Sequence, residues 1–137
     1  MNVECFLDTN IVVYAAAGDH QHDRKRQRAL DIIQSEAFGL SVQVLQEFYV
    51  TVTRKLQVTL PPETALEWIE QLTAFPTVEL DIGLVKTAAE VSERYQISYW
   101  DAAIVSAARG MGAKVLFTED LNDGQDYLGV RAVNPFH

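Results

Sequence analysis

The sequence VECFLDTNI, residues 3–11, decides the architecture that we expect for this chain. Its short apolar run is typical of a buried β-strand, and that strand ends at Asp8. Thr9 and Asn10 then open a helical stretch that continues from Ile11 to Ala17. In parallel α/β sheets, ligands bind outside the carboxyl ends of the strands. The sequence therefore places a carboxylate where such folds carry out their chemistry.

The composition indicates one globular domain that spans residues 1–137. A chain of this length buries roughly two-thirds of the surface that it exposes when unfolded, and its 48% hydrophobic and 22% charged residues are ordinary for a soluble protein. No apolar run approaches the roughly 20 residues of a membrane span, and the N-terminus lacks the pattern of a signal peptide. We therefore expect a cytoplasmic protein, with its single cysteine, Cys5, as a small core residue.

The net charge of −8 argues, taken alone, against a nucleic-acid-binding protein. The distribution of charge weakens that argument, because Arg24, Lys25, Arg26 and Arg28 lie in one short segment. A nuclease whose carboxylates hold metal ions can be acidic overall and still bind a phosphate backbone. A solvated helix face is the simpler explanation of the basic segment, and a substrate-binding surface is the alternative.

Short apolar segments alternate with amphipathic ones, which predicts an α/β fold with a parallel sheet between two layers of helices. After the first strand we expect strands at residues 39–41, 78–80, 114–118 and 130–133, and therefore four or five strands in all. The helices predicted after Ala17 cover residues 24–37, 42–56, 63–75, 81–95 and 97–110. The helix at 42–56 is apolar on most of its circumference and should be largely buried.

Glu47 interrupts this apolar helix. Glutamate is rarely buried without a partner or a metal ion, so the position suggests a functional side chain. The alternative is a place at the wet edge of the helix, paired with Arg54 or Lys55, but those residues lie seven and eight positions on, beyond the usual spacing of helical ion pairs. The residues alone leave both explanations open.

Two further acidic positions lie next to predicted elements, one at the start of a helix and one directly after a strand. Ser98 and Asp101 have the spacing of a capping box, with Asp in place of the usual Glu. Trp100 and the alanine-rich run after it nevertheless predict a buried helix start, which would place the Asp101 carboxylate inside the fold. The acidic turn EDLNDG, residues 119–124, directly follows a strand. Such turns are usually structural, but this one brings a second group of carboxylates to a strand end.

The order of the elements can bring Asp8, Glu47, Asp101 and Asp120 around one crevice. Carboxylates so placed would repel one another, by roughly 4 kcal/mol for two charges about 4 Å apart at an effective dielectric constant near 20. A fold tolerates such repulsion only through protonation or a bound cation. Oxygen-rich sites of this kind suit Mg²⁺ or Mn²⁺, and a metal-activated water can hydrolyse a phosphodiester.

These residues together resemble a known family. The motifs are Asp8-Thr9-Asn10 after the first strand, Glu47 within a helix, Ser98-Tyr99-Trp100-Asp101-Ala102, and Thr118-Glu119-Asp120. Their order and spacing are similar to those of the PIN domain, and more narrowly to those of the VapC toxins of type II toxin–antitoxin pairs. The resemblance extends from the first strand to the last.

The resemblance implies an endoribonuclease that depends on Mg²⁺ or Mn²⁺. The positions that match the family's metal-holding and catalytic acids are Asp8, Glu47, Asp101 and Asp120. The positions that match supporting residues are Thr9 and Asn10 for the first aspartate and Thr118 for the last, with Asp123 as either an outer carboxylate or a turn residue. The family also implies a homodimer and a VapB-like antitoxin that inserts a segment into the acidic groove, often with an arginine.

Other functions remain open at this point. A metal-dependent DNA nuclease would use the same crevice, since nothing in the sequence reads a 2′-hydroxyl group. A haloacid-dehalogenase phosphatase is disfavoured because Asn10 stands where that class has a second aspartate. A non-catalytic signalling or binding module is the third alternative, but Lys114 precedes its strand, whereas a receiver domain needs a lysine after it.

Overall fold

The structure is a computed structural model that describes residues 3–17 and 22–137. Its strands are β1 (Cys5–Leu7), β2 (Phe38–Ser41), β3 (Thr77–Val78), β4 (Val115–Phe117), β5 (Asp126–Tyr127) and β6 (Val130–Val133). Its α-helices are α1 (Thr9–Ala17), α2 (Asp23–Ser35), α3 (Val42–Val50), α4 (Pro62–Leu72), α5 (Ile82–Tyr95) and α6 (Tyr99–Gly110). No helix in the described ranges is long and apolar enough to cross a membrane.

Strand β1 lies in the middle of a single sheet with the order β3-β2-β1-β4-β6-β5. It runs parallel to β2 on one side, with Cys5 opposite Phe38, and to β4 on the other, with Leu7 opposite Phe117. The chain thus fills one half of the sheet with β2 and β3 and the other half with β4 and β6. A crevice at the carboxyl end of β1 is expected from this reversal of strand order.

The predicted α/β fold is confirmed, but within residues 3–17 and 22–137 the sheet has six strands rather than four or five. The additional strand is β5, a two-residue edge strand that runs antiparallel to β6. A segment this short, directly after an Asn/Asp/Gly turn, carries no periodic pattern that a sequence can reveal. Its Tyr127 is buried and packs edge to face on Tyr95, with the ring centroids 5.1 Å apart.

Side-chain caps fix where three of the helices begin. Ser41, Asp81 and Ser98 each accept a hydrogen bond from the backbone N–H three residues further on, at 3.2, 2.8 and 3.0 Å respectively. These bonds satisfy amide groups that a helix start leaves without an internal partner. The cap at Ser98 confirms the predicted helix start and orients the first turn of α6, which carries Asp101.

Helix α6 is buried from Ala102 to Ala108, as its alanine-rich sequence predicts. The prediction that Trp100 is buried with it is wrong, because its side chain is 64% exposed. Trp100 lies in the first turn, before the segment of α6 that packs against β2 and β6. The start of this helix therefore reaches the edge of the fold rather than its interior.

The helix predicted over 42–56 changes its winding part-way. It is α-helical to Val50 and continues as a π-helical turn over Thr51–Lys55, closed by a bond from Leu56 N–H to Thr51 O at 3.2 Å. The run of β-branched residues at positions 50–53 is crowded in a regular α-helix, which agrees with the change. Single π-turns often occur at functional sites, and this one forms part of a groove that reaches Asp120.

Candidate active site

Three carboxylates meet at the carboxyl end of the central strands. Asp8 follows β1, Asp101 lies in the first turn of α6, and Asp120 follows β4. One oxygen atom from each lies within 4.8 Å of the others. The three side chains range from buried Asp8 through half-buried Asp101 to exposed Asp120, so the cluster opens to solvent on one side.

Asp8 is the buried base of the cluster, with an exposed fraction of 4%. Its Oδ1 atom accepts a hydrogen bond from Thr9 N–H at 2.6 Å, and its Oδ2 atom accepts one from the Thr118 hydroxyl at 2.8 Å. The pKa of Asp8 is raised to about 7, chiefly by burial and in addition by the charges of Asp120 and Asp101, while the two hydrogen bonds lower it. A carboxylate in this position gains stability from a proton or from a cation.

Asp101 shares this electrostatic environment. Burial raises the pKa of its carboxyl group, the charges of Asp120 and Glu47 add to that effect, and a hydrogen bond with Ser98 opposes it. The repulsion expected between converging acids is therefore present at two of the three members. It acts between side chains that the fold holds in place from three different elements.

Asp120 is held mainly by neighbouring side chains. Its N–H donates to the Thr118 hydroxyl at 3.1 Å, and its Oδ2 atom accepts from Asn10 Nδ2 at 3.0 Å. The Thr118 hydroxyl therefore connects Asp8 with Asp120. The Oδ1 atom of Asn10 is buried and has no hydrogen-bond partner in the described ranges, which leaves an acceptor beside Asp120.

Glu47 lies beside the cluster and not within it. Within the described ranges, the acids whose oxygens approach within 4.8 Å are Asp8, Asp101 and Asp120. The two oxygens of Glu47 accept from the Thr9 hydroxyl at 2.7 Å and from Gln43 Nε2 at 3.2 Å. These partners take the place of Arg54 and Lys55, which were the expected partners if Glu47 lay at the wet edge of the helix. Glu47 still acts on the cluster through its charge, which raises the pKa of Asp101.

The residues predicted to support the aspartates make hydrogen bonds that differ from those expected. Thr9 supports Asp8 through its backbone N–H but gives its hydroxyl to Glu47. Asn10 contacts Asp120 rather than Asp8. Asp123 has a turn role, because its Oδ1 atom accepts from Asn134 N–H at 2.8 Å, and it is not a member of the acidic cluster found among the described residues.

The basic segment does not present one continuous surface. Arg26 lines a groove of about 910 Å³ that also contains Lys55, Asn10 and Asp120. Arg24, Lys25 and Arg28 line a different pocket next to Phe136. Lys25 is already paired with Glu119, at 2.7 Å.

Sequence reasoning missed two residues that organise the site. Gln43 donates both to Glu47 and to the carbonyl oxygen of Trp100, at 3.1 Å, and so joins α3 to the start of α6. Its place one helical turn before Glu47 was a signal that could have been used. Tyr14 donates to Glu119 at 2.6 Å, and no sequence pattern pointed to that contact.

The donor set fits a hard divalent cation. All three members offer carboxylate oxygens, and among the residues that the structure describes no nitrogen or sulfur ligand joins the group. Such oxygen-only sites favour Mg²⁺ or Mn²⁺ over softer metals. Burial, and after it the charges of Asp120 and Asp101, disfavours the ionised form of Asp8 and raises its pKa. A cation among the carboxylates would favour that ionised form.

The comparisons with known proteins agree with this geometry. The sequence profile of the PIN domain family matches residues 5–123, which include all three carboxylates. This chain belongs to the PIN domain family. PIN domains are typically nucleases. The sequence has no significant match among curated proteins.

Solved structures of low sequence identity share the PIN fold of this chain. VapC20 of Mycobacterium tuberculosis, described as a toxin that cleaves the sarcin–ricin loop, has 21% identity and a TM-score of 0.67, over 93% of this chain and 98% of that chain. A toxin–antitoxin complex from Klebsiella pneumoniae has 17% identity and a TM-score of 0.72, over 96% and 98%. FitAcB from Neisseria gonorrhoeae has 18% identity and a TM-score of 0.65, over 97% and 99%.

Proposed function

We propose that this PIN domain is an endoribonuclease toxin of the VapC type that requires Mg²⁺ or Mn²⁺. The observation that carries the proposal is the meeting of Asp8, Asp101 and Asp120 within 4.8 Å, although they lie far apart in sequence. Carboxylates this close repel one another unless one of them is protonated or a cation lies between them. The similarity to VapC20, a toxin described as cleaving the sarcin–ricin loop, favours RNA over DNA as the substrate.

The roles of the side chains follow from their contacts. Asp8, Asp101 and Asp120 would hold the cation, with Asp8 fixed by donors at both of its oxygens. A bound Mg²⁺ or Mn²⁺ would supply Lewis acidity that activates water and neutralises charge on the phosphate. Glu47, held by Thr9 and Gln43, would orient a water molecule beside Asp101 and is thus the fourth catalytic acid.

The groove that ends at Asp120 is the candidate path for RNA. Arg26 and Lys55 place two cations along it, in a protein whose net charge is −8. Contacts from such cations to phosphate groups would position the strand without reading its sequence. Of the predicted substrate-binding residues, Arg26 is thus the one that lines the same groove as Asp120, while Arg24, Lys25 and Arg28 would contact only a strand that extends past Phe136.

The proposed partners are a VapB-like antitoxin and a second copy of this chain. Solved structures with the same fold include toxin–antitoxin complexes. An antitoxin arginine placed among the three carboxylates would relieve the repulsion that a cation otherwise relieves. The proposal therefore includes inhibition by occupation of the acidic cluster, in the cytoplasm where toxin and RNA meet.

The test is an RNA cleavage assay with purified protein and total bacterial RNA. The wild type, Asp8→Asn and Asp101→Asn are each incubated with Mg²⁺ or with EDTA. Asp31→Asn, on the exposed face of α2, is the matched control for replacing a carboxylate by an amide. Discrete fragments are expected from the wild type and from Asp31→Asn, only with Mg²⁺.

Cleavage by the two site variants should fall by more than roughly 100-fold, because even outer-shell changes at metal sites cost 10- to 100-fold. Full activity of Asp8→Asn or Asp101→Asn would refute the assignment of these residues. Single-stranded DNA in parallel reactions separates the two nuclease classes, and cleavage of DNA alone would replace RNA by DNA as the substrate.

A further inference from the structure

Lys25, Tyr14 and Glu119 form a closed polar cluster beside the three carboxylates. The Lys25 ammonium donates to Glu119 Oε2 at 2.7 Å, and the Tyr14 hydroxyl donates to Glu119 Oε1 at 2.6 Å. Each oxygen of the Glu119 carboxylate therefore has its own donor. The Lys25 ammonium also donates to the Tyr14 hydroxyl at 3.3 Å, which closes the ring of contacts. These three residues are called the Lys25 cluster below.

Two aromatic rings hold the ammonium group of this cluster. Lys25 Nζ lies 5.0 Å from the ring centroid of Tyr14 and 5.5 Å from that of Phe136, within the range of cation–π attraction. The two rings pack edge to face, with centroids 5.1 Å apart. The side chains of Lys25 and Glu119 keep 35% and 22% of their exposure, so this pair is more desolvated than a fully exposed surface ion pair.

The Lys25 cluster joins three parts of the chain, namely α1, α2 and the segment after β4. Glu119 directly precedes Asp120, within residues 118–125, which have no regular helix or strand. Backbone hydrogen bonds hold the two ends of this segment, from Thr118 N–H to Val133 O at 3.0 Å and from Gly124 N–H to Ala132 O at 2.7 Å. Between these ends, Glu119 and Asp120 are held through contacts with side chains. Repulsion from Asp8 and Asp101 also pushes Asp120, the exposed member of the trio, toward solvent.

We propose that Lys25 is a positioning residue, which clamps Glu119 and thereby holds Asp120 against Asp8 and Asp101 in the geometry that binds a divalent cation. The inference rests on the proposed function only in taking the three carboxylates as a metal site. It assigns part of the basic segment to the construction of that site rather than to RNA. The clamp also engages the carboxylate of Glu119, which keeps this acid apart from its neighbour Asp120.

The sign of the expected effect separates this role from a simple charge effect. Lys25 is a cation near a cation site, so removing its charge should by Coulomb's law strengthen metal binding. A positioning role predicts the opposite, because Asp120 would leave its place when the clamp is lost. A surface pair that only supports the fold would change the melting temperature and leave the metal affinity unchanged.

The experiment measures the dissociation constant for Mn²⁺ by isothermal titration calorimetry and the melting temperature in EDTA. Lys25→Met removes the clamp, Lys25→Arg keeps a cationic donor, and Lys86→Met on exposed α5 is the matched control. The Kd of Lys25→Met should rise by about 10-fold, the usual cost of an outer-shell change. Lys25→Arg should restore most of the affinity, and Lys86→Met should match the wild type.

Glu119→Gln provides a second route if Lys25→Met does not fold. It should also weaken Mn²⁺ binding, both by breaking the clamp and by removing a negative charge near the site. The double variant should therefore bind no more weakly than Glu119→Gln alone, because both changes break the same contact. An unchanged or lower Kd in Lys25→Met would overturn the proposal, as would additive losses in the double variant. A wild type that binds no Mn²⁺ overturns the clamp and the metal site together, whereas Mn²⁺ binding without RNA cleavage overturns the proposed function alone.

Discussion

Asp8 and Asp120 both follow a parallel strand of the same sheet, yet the protein holds them in different ways. Asp8 is buried and continues the pairing of β1, because its N–H donates to the carbonyl oxygen of Phe117 at 3.0 Å. Asp120 is exposed and depends on side chains, with Asn10 at its carboxylate and Thr118 at its N–H. The site thus combines one carboxylate built into the sheet with one attached from outside it.

Because of this difference, the free-energy cost of placing each carboxylate has a different physical origin. Placing Asp8 costs desolvation, which appears as a pKa raised to about 7. Placing Asp120 costs conformational freedom, since its segment has no regular structure. A metal ion would offset both, by pairing the buried charge and by ordering the exposed one. Substitutions at the two carboxylates and at their supporting residues test whether desolvation and the loss of conformational freedom arise at different residues.

The largest expected effect is the pH dependence of stability without metal. The ordinary pKa of an Asp carboxyl is 3.8, and that of Asp8 in the folded protein is about 7. Between these values the folded state binds the proton more tightly than the unfolded state does. The unfolding free energy should therefore be highest near pH 4 and fall as the pH rises to about 7, by at most about 4 kcal/mol from Asp8.

Urea denaturation in EDTA across this pH range measures the effect. Asp8→Asn should remove most of the slope and should be more stable than the wild type near pH 7. Asp120→Asn should reduce the slope only in part, because it removes one of the charges that raise the pKa of Asp8. Equal slopes in the wild type and in Asp8→Asn would contradict the assignment of the desolvation cost to this residue.

A smaller effect is expected from the residues that support the two carboxylates. Thr118→Val removes the buried donor to Asp8 and the acceptor of Asp120 N–H, and should lower the unfolding free energy by about 1–3 kcal/mol. Asn10→Ala removes only the exposed contact to Asp120 and should cost less than about 1 kcal/mol. The exposed Thr73→Val is the control for the change of hydroxyl to methyl. Denaturant midpoints at pH 7 give the ranking, and the reverse order would show that Asp120 and not Asp8 is the anchored member.

The same contrast explains how far the sequence predicts the structure. The motif at residues 3–11 predicted β1 and the strand-end carboxylate, because a buried strand leaves a strong apolar pattern. The alternating elements predicted the parallel sheet, and Ser98 predicted the start of α6. The two-residue strand β5 carried no such pattern.

The long-range side-chain contacts around Asp120 were beyond the reach of sequence reasoning. The Lys25–Glu119 pair spans 94 positions, and the Asn10–Asp120 pair spans 110. Contacts at such separations follow from the folded topology and leave no local periodicity. For the same reason Glu47 was grouped with the three clustered acids, although Thr9 and Gln43 hold it beside them.

The most direct test of the cation site is the melting temperature of the wild type, Asp8→Asn and Asp120→Asn with and without millimolar Mg²⁺. A ligand that binds only the folded state stabilises it by about 2.7 kcal/mol at 100 times its Kd. Mg²⁺ should raise the melting temperature of the wild type, and both variants should lose this shift. No shift in the wild type with either Mg²⁺ or Mn²⁺, or a shift of the same size in Asp8→Asn, would contradict a preformed cation site at these carboxylates.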